Sequence, residues 1–297
     1  MDRTRFHGAF TALVTPFTAK GIDEAAYTKL VDWQIKEGID GLVPCGTTGE
    51  SPTLSPQEHG RVIEICVQAA QGRVPIIAGA GSNSTAEAIA YAEHAAQAKA
   101  DAVLVVTPYY NKPTNKGIYL HYKAISEAVD IPIILYNIAG RTGKNIEPDL
   151  MVKLAGIKNV IGVKEASGSL EQMKRIRELC PKDFLLISGD DGLTLPVLSL
   201  GGVGVISVAS NIVPRDVAEM IKMFNKGDQQ NAKAIEAKMR PLIEALFIET
   251  NPIPVKTATS LMGFCSTAMR LPMCEMEEAN LVKLKAALKA YGGLIRG

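Results

Sequence analysis

Short apolar runs recur along the chain at a spacing that fits one strand plus one helix. They begin near Ala9, Asp40, Val74, Asp101, Ile131, Asn159, Phe184 and Val203, with intervals of 19 to 34 residues. Each run (AFTALV, DGLVPC, VPIIAG, DAVLVV, IPIILY, NVIGVK, FLLIS, VGVIS) is continuous rather than alternating. Strands buried on both faces, as in a parallel sheet, read this way. The intervening stretches carry helix-start signals. Ser55-Pro56-Gln57-Glu58 pairs a capping serine with a glutamate three residues on and puts proline at the first helical position. Ser84-Thr85-Ala86-Glu87 and Ser169-Leu170-Glu171-Gln172 repeat the box, and Gly72 falls where a helix should stop. Eight such units predict an α/β fold, a (β/α)8 TIM barrel, over a doubly wound open sheet. The last barrel helix is expected over Pro214–Asn225. The barrel then takes residues 1–226, and 227–297 become a C-terminal helical appendix with helices over 229–246, 254–263 and 275–291.

Composition removes several function classes. The 297 residues carry 32 basic and 31 acidic side chains, a net charge of +1. A nucleic-acid partner would ask for a basic excess. Apolar runs such as Ala102–Val106 are too short to span a bilayer, so no membrane partner is expected. The N-terminal MDRTRFHGAFTALVTPF has early charges and a short apolar stretch, but no convincing cleavage site, and reads as an internal strand. Five cysteines, an odd number with no C-x-x-C pair, point to a reducing cytoplasm rather than a disulfide framework or structural zinc.

In a barrel of this kind the chemistry sits at the C-terminal strand ends. Here these read CGTTGES, TPYYN, YNIAGRTG, KEASGS, SGDDG and SVASN. Lys164 closes the sixth run. Burial of its stem among strand ends disfavours a charged amine and leaves a nucleophile for a carbonyl; the plainer alternative is a lysine paired with Glu165 or reaching to water. Tyr136 closes the fifth run, where a phenol can relay protons, or can be a half-buried tyrosine with a polar tip. Gly46-Thr47-Thr48-Gly49 offers hydroxyls and a possible nest of amides for an anion, or a plain turn. Arg141 can grip a carboxylate at two points; a surface ion pair is the commoner fate of a loop arginine. Tyr109-Tyr110 suits an aromatic wall, a relay or a subunit contact. Asp190-Asp191 suits a helix start better than a metal. The histidines at 59, 94 and 121 fall inside expected helices and His7 precedes the first strand, so no metal site is expected. Gly201-Gly202-Val203-Gly204 fits tight helix-to-strand packing, although phosphate binding stays open. A nucleophilic lysine, a proton relay and two anion receptors together fit imine chemistry on a 2-oxo acid, with no external cofactor.

These motifs resemble the dihydrodipicolinate synthase family, within the N-acetylneuraminate lyase superfamily of class I aldolases. The likeness runs over essentially the whole chain. It is carried by GTTGESPTLS (46–55), VVTPYYNKPT (105–114), YNIAGRTG (136–143), GVKEASG (162–168) and GVISVASN (204–211). It implies that Lys164 forms a Schiff base with pyruvate, that Tyr136 is the proton donor and acceptor, and that Thr47 links it to Tyr110, which reaches across a tight dimer interface. It further implies that Thr48 holds the pyruvate carboxylate, with the backbone of Gly189 and Ile206 lining the pocket. Arg141 would receive the carboxylate of L-aspartate 4-semialdehyde. No cofactor is implied, and the assembly would be a homotetramer, a dimer of dimers. An arginine in GRTG suits a short carboxylated aldehyde better than a polyhydroxylated sugar, and sialic acid lyases lack it. Ala139 departs from the family's usual proline. Ser51, His59, Asn83, Glu87 and Tyr109 match the site of L-lysine feedback in sensitive members, while Pro52 and Pro56 depart from it. The rival readings are a pyruvate-dependent aldolase of the same superfamily acting on a different aldehyde, and a non-catalytic barrel that binds a 2-oxo acid.

Overall fold

The structure, a computed structural model, describes residues 2–292 and 294. The outermost ends of the two expected regions, residue 1 and residues 293 and 295–297, lie outside the described residues. Strands and helices alternate along the chain, and eight parallel strands make up one sheet, in the order of a (β/α)8 barrel. The strands are β1 (Gly8–Ala12), β2 (Gly41–Val43), β3 (Ile77–Gly79), β4 (Ala102–Val106), β5 (Ile133–Asn137), β6 (Val160–Glu165), β7 (Leu185–Ser188) and β8 (Gly204–Ser207). Each coincides with an apolar run. Nearly every strand residue is buried, which explains why the runs are unbroken.

Two compact units emerge from packing: residues 1–7 with 75–206, and residues 8–74 with 207–297. In the first, β3 to β8 pair in sequence order and all in parallel. Its helices are α3 (Thr85–Gln97), α4 (Asn115–Ala128), the short α5 (Ala139–Thr142), α6 (Pro148–Ala155), α7 (Leu170–Leu179) and the short α8 (Thr194–Ser199). Gly202 is where helix and strand close up. A Cβ there would stand 2.5 Å from the Val197 side chain and 2.7 Å from the Val197 carbonyl, so the packing role expected of this glycine stretch holds. Asp190 and Asp191 open a helical turn, with the Asp190 carboxylate accepting from Gly192 N at 2.8 Å.

In the second unit β1 pairs with β2 in parallel. Its helices are α1 (Glu24–Lys36), α2 (Pro56–Ala70), α9 (Pro214–Asn225), α10 (Gln229–Leu246), α11 (Ile253–Leu261) and α12 (Glu278–Gly292). The α9 and α10 limits agree with the sequence expectation, and α11 and α12 lie within a few residues of it. A two-residue antiparallel pairing of Phe17–Thr18 with Gly21–Ile22 was not foreseen, since segments this short carry no period.

The capping boxes fared differently. At α2 the box is complete: Ser55 Oγ accepts from Glu58 N, and the Glu58 carboxylate accepts from Ser55 N at 2.9 Å. At α3 it does not form, because the Glu87 carboxylate bonds the Ser82 hydroxyl instead. At α7 only half forms. Ser169 Oγ accepts from Gln172 N at 3.1 Å, but the Gln172 side chain turns to Asn145 and Glu165.

Glu58 also takes a two-pronged grip from Arg270, one contact at 2.7 Å. The guanidinium is the main cause that holds the Glu58 carboxyl at about 2, against 4.5 ordinarily. Because the folded value is depressed, the stabilisation is fully present above 4.5 and is lost as pH falls toward 2. Urea unfolding at stepped pH should therefore show wild type more stable than Glu58→Gln near neutrality. The gap should close between pH 4.5 and 2; a constant gap would refute the pairing.

Candidate active site

In parallel strands, residues in register project to the same face. Tyr136 at the end of β5 is in register with Lys164 of β6, and Lys164 with Ile187 of β7. The result is a lysine amine 4.3 Å from the centroid of the Tyr136 ring. Both side chains are nearly buried, each 6% exposed. One residue further on, Asn137, Glu165 and Ser188 share the next register level and project to the other face. Glu165 is therefore not the counter-ion of Lys164. Its carboxylate accepts from Ser167 N (2.8 Å), Asn137 Nδ2 (2.9 Å) and Gln172 Nε2 (3.2 Å). Burial pushes this carboxyl above the usual range, and those donors pull it back.

Space is cleared beside the lysine. A Cβ on Gly189 would stand 2.6 Å from the Ala166 Cβ and 3.2 Å from the Lys164 Cε. Gly189 N also donates to Glu165 O at 2.8 Å, which extends the ladder past the end of β7. Ile206 sits near the end of β8, buried. Arg141 lies on α5, exposed, with Arg141 N donating to Ile138 O at 3.0 Å. Tyr110 follows β4 with φ of +71° and is 89% exposed, so it does not pack on Tyr136 within this chain. Of the residues matching the lysine site, Asn83, Glu87 and Tyr109 belong to this unit. Asn83 Nδ2 donates to Tyr109 O at 3.2 Å, and Asn111 Nδ2 returns a bond to Asn83 O at 2.9 Å.

Thr47 and Thr48 belong to the other unit, in the turn after β2. Gly46 O accepts from Gly49 N and Ser51 N, and Thr47 O accepts from Glu50 N. Those amides are committed within the turn, so a run of free amides over 49–51 is not what it offers an anion. The hydroxyls remain. Thr48 is buried, and its Oγ1 accepts from Asn251 Nδ2 at 3.1 Å. Asn251, between α10 and α11, is a residue that sequence reasoning missed, because nothing local ties it to a turn two hundred residues away. Ser51 starts a short 3₁₀ turn, and His59 is buried on α2, its carbonyl accepting from Cys45 Sγ.

The turn is anchored by a second unforeseen contact. Glu50, with φ of +56°, turns its carboxylate to Lys256 of α11, and neither side chain is more than 1% exposed. The lysine amine also lies 4.1 Å from the Phe17 ring centroid, and Glu50 accepts from Arg270 N at 3.0 Å. Burial holds the Lys256 ammonium below the usual lysine range, against the pull of Glu50.

Among the described residues no cluster of three or more His, Cys, Asp or Glu side chains could hold a metal ion. His59, His94 and His121 lie on α2, α3 and α4.

A family model described as the dihydrodipicolinate synthetase family matches residues 5–291. The chain belongs to that family. A 4-hydroxy-tetrahydrodipicolinate synthase of Endomicrobium trichonymphae is 59% identical over 97% of the chain and 99% of the relative. Two solved structures superpose with a TM-score of 0.94 each. One is a chloride-inhibited dihydrodipicolinate synthase from Acinetobacter baumannii complexed with pyruvate, 44% identical, covering 96% of this chain and 99% of that one. The other is the Cyanidioschyzon merolae enzyme with lysine bound, 42% identical, covering 98% and 99%. The fold is accordingly the (β/α)8 barrel expected from the strand spacing.

Breaking a buried ion pair from one side leaves the other charge uncompensated, at a cost of about 3–5 kcal/mol. Lys256→Met should lower unfolding free energy by that order in urea titrations. Adding Glu50→Gln to it should recover a large part of the loss; no recovery would mean that the pair is not what Lys256 contributes.

Proposed function

We propose that the chain is a 4-hydroxy-tetrahydrodipicolinate synthase, a lyase of lysine and diaminopimelate synthesis that condenses pyruvate with L-aspartate 4-semialdehyde. One observation carries the reading: a nearly buried lysine at a strand end, its amine over the ring of a tyrosine in register beside it, with a glycine clearing the space alongside. Family membership and the pyruvate bound to the A. baumannii relative support the choice of 2-oxo acid.

The steps follow from the groups present. The Lys164 amine attacks the keto carbon of pyruvate. Tyr136 passes the proton that lets the carbinolamine lose water, giving a protonated imine. The imine withdraws electrons, the methyl group loses a proton, and the enamine adds to the aldehyde carbon. The amino group of the bound semialdehyde then attacks the imine carbon, closes the ring and releases Lys164. Thr48 is assigned to the pyruvate carboxylate, and the backbone at Gly189 and Ile206 is assigned to pyruvate as well. Arg141, exposed on its short helix, is assigned to the semialdehyde carboxylate, where a guanidinium fork favours a carboxylated aldehyde over a polyhydroxylated sugar without a carboxylate. Thr47 and Tyr110 are assigned to the relay. Tyr110's exposure and left-handed backbone suit a side chain completed by a second copy, in a dimer of dimers. The chemistry asks for no cofactor.

Lysine feedback at Ser51, His59, Asn83, Glu87 and Tyr109 is part of the reading, supported by the cross-tied Asn83–Tyr109 loops and by the lysine-bound relative. Pro52 and Pro56 are expected to weaken it. No helix among the described residues is long and apolar enough to cross a membrane. With free thiols at Cys45, Cys66, Cys180, Cys265 and Cys274, a cytoplasmic setting is proposed.

Borohydride reduction in the presence of pyruvate, read by mass spectrometry of peptides, should place a pyruvate-sized adduct on Lys164. No adduct, or one on another lysine, would overturn the mechanism. Arg141→Ala should retain that adduct and lose condensation with the semialdehyde by about a hundred-fold. Undiminished condensation would remove Arg141 from the receptor role.

A further inference from the structure

The residues that follow Tyr136 and Lys164 in their strands meet on the back of the sheet in a closed set of amides and one carboxylate. Asn137 and Glu165 are fully buried there. Asn137 Nδ2 donates to Glu165 Oε2 at 2.9 Å and to Asn145 Oδ1 at 2.8 Å. Asn137 Oδ1 accepts from Ile146 N at 3.0 Å. Gln172 and Asn145 pair amide to amide, at 2.7 Å and 3.2 Å, and Gln172 Nε2 also reaches Glu165. Asn145 Nδ2 bonds Glu147 at 2.8 Å.

This set closes a loop. Residue 138 leaves β5 directly after Asn137, and Ile146 returns to the Asn137 side chain nine residues later. Between them lies α5 with Arg141. The loop is braced inside as well: Thr142 Oγ1 donates toward Ile138 O and Lys144 O at 3.1 and 2.9 Å, and accepts from Lys144 N. Gln172 is taken away from its cap on α7 to complete the set, which is why the capping box there is only half made.

We propose that Asn137, Asn145, Glu165 and Gln172 are positioning residues that fix the Arg141 loop to the two strands bearing Tyr136 and Lys164, and so set the enzyme's selectivity for a carboxylated aldehyde. This rests on the function proposed above. None of the four touches a reacting atom; they act through the placement of Arg141. Asn145 is the member to change, since it is half-buried, lies in neither strand, and links the loop to β5 directly through Asn137 and to β6 through Gln172.

The test is a double-mutant cycle on the full chain, with KM for the semialdehyde, KM for pyruvate and borohydride trapping of pyruvate measured for each protein. Asn145→Ala should raise KM for the semialdehyde about ten-fold or more, while KM for pyruvate and trapping stay within about two-fold. In an Arg141→Ala background the same change should add less than about two-fold. Gln172→Ala should shift the same constant in the same direction. An unchanged semialdehyde KM, an equal rise in both KM values, or full additivity with Arg141→Ala would overturn the positioning role while leaving the function standing. Absence of pyruvate trapping in the unsubstituted enzyme would overturn both.

Discussion

Parallel strand register is the constraint on which the proposed chemistry depends. When Tyr136 and Lys164 occupy equal levels of adjacent strands, their side chains must share a face, and the next pair, Asn137 and Glu165, must share the other. A slip of one residue would exchange the two sets. The amine and phenol would then lie on the face that now holds Asn137 and Glu165, and the buried amide–carboxylate pair on the face that now holds Lys164. The register shift recorded between Ile133 and Ile134 falls at the beginning of β5, so the pairing runs unbroken from there to the functional end.

Much of the fold was legible because burial on both faces writes itself directly into a chain. All eight strands follow from unbroken apolar runs, and α9 starts at Pro214, where a missing N–H costs nothing. Lys164 and Tyr136 were legible for the same reason: a single polar residue ending such a run has few places to go. What could not be read were partners fixed by tertiary packing. Asn251 to Thr48 spans 203 residues and Lys256 to Glu50 spans 206. Sequence marks Lys256 as one lysine among many in a helical stretch. Only the structure shows it buried with a carboxylate on one side and an aromatic face on the other.

The boxes at α3 and α7 show how a local rule loses to a competing partner. A glutamate or glutamine at the third helical position can reach back to the cap amide, and Glu58 does so while its carboxylate also holds Arg270. At Glu87 a serine hydroxyl two residues before the cap competes and wins. At Gln172 the competitor is a buried carboxylate that burial has made costly to leave bare. An exposed cap amide can turn to water, whereas a buried carboxylate cannot, and an unmet buried group costs about 1–3 kcal/mol. The side chain therefore goes where the alternative is worse. A half-made cap in this chain is thus a pointer to a buried polar demand nearby. At α7 that demand is Glu165, the residue directly behind the lysine.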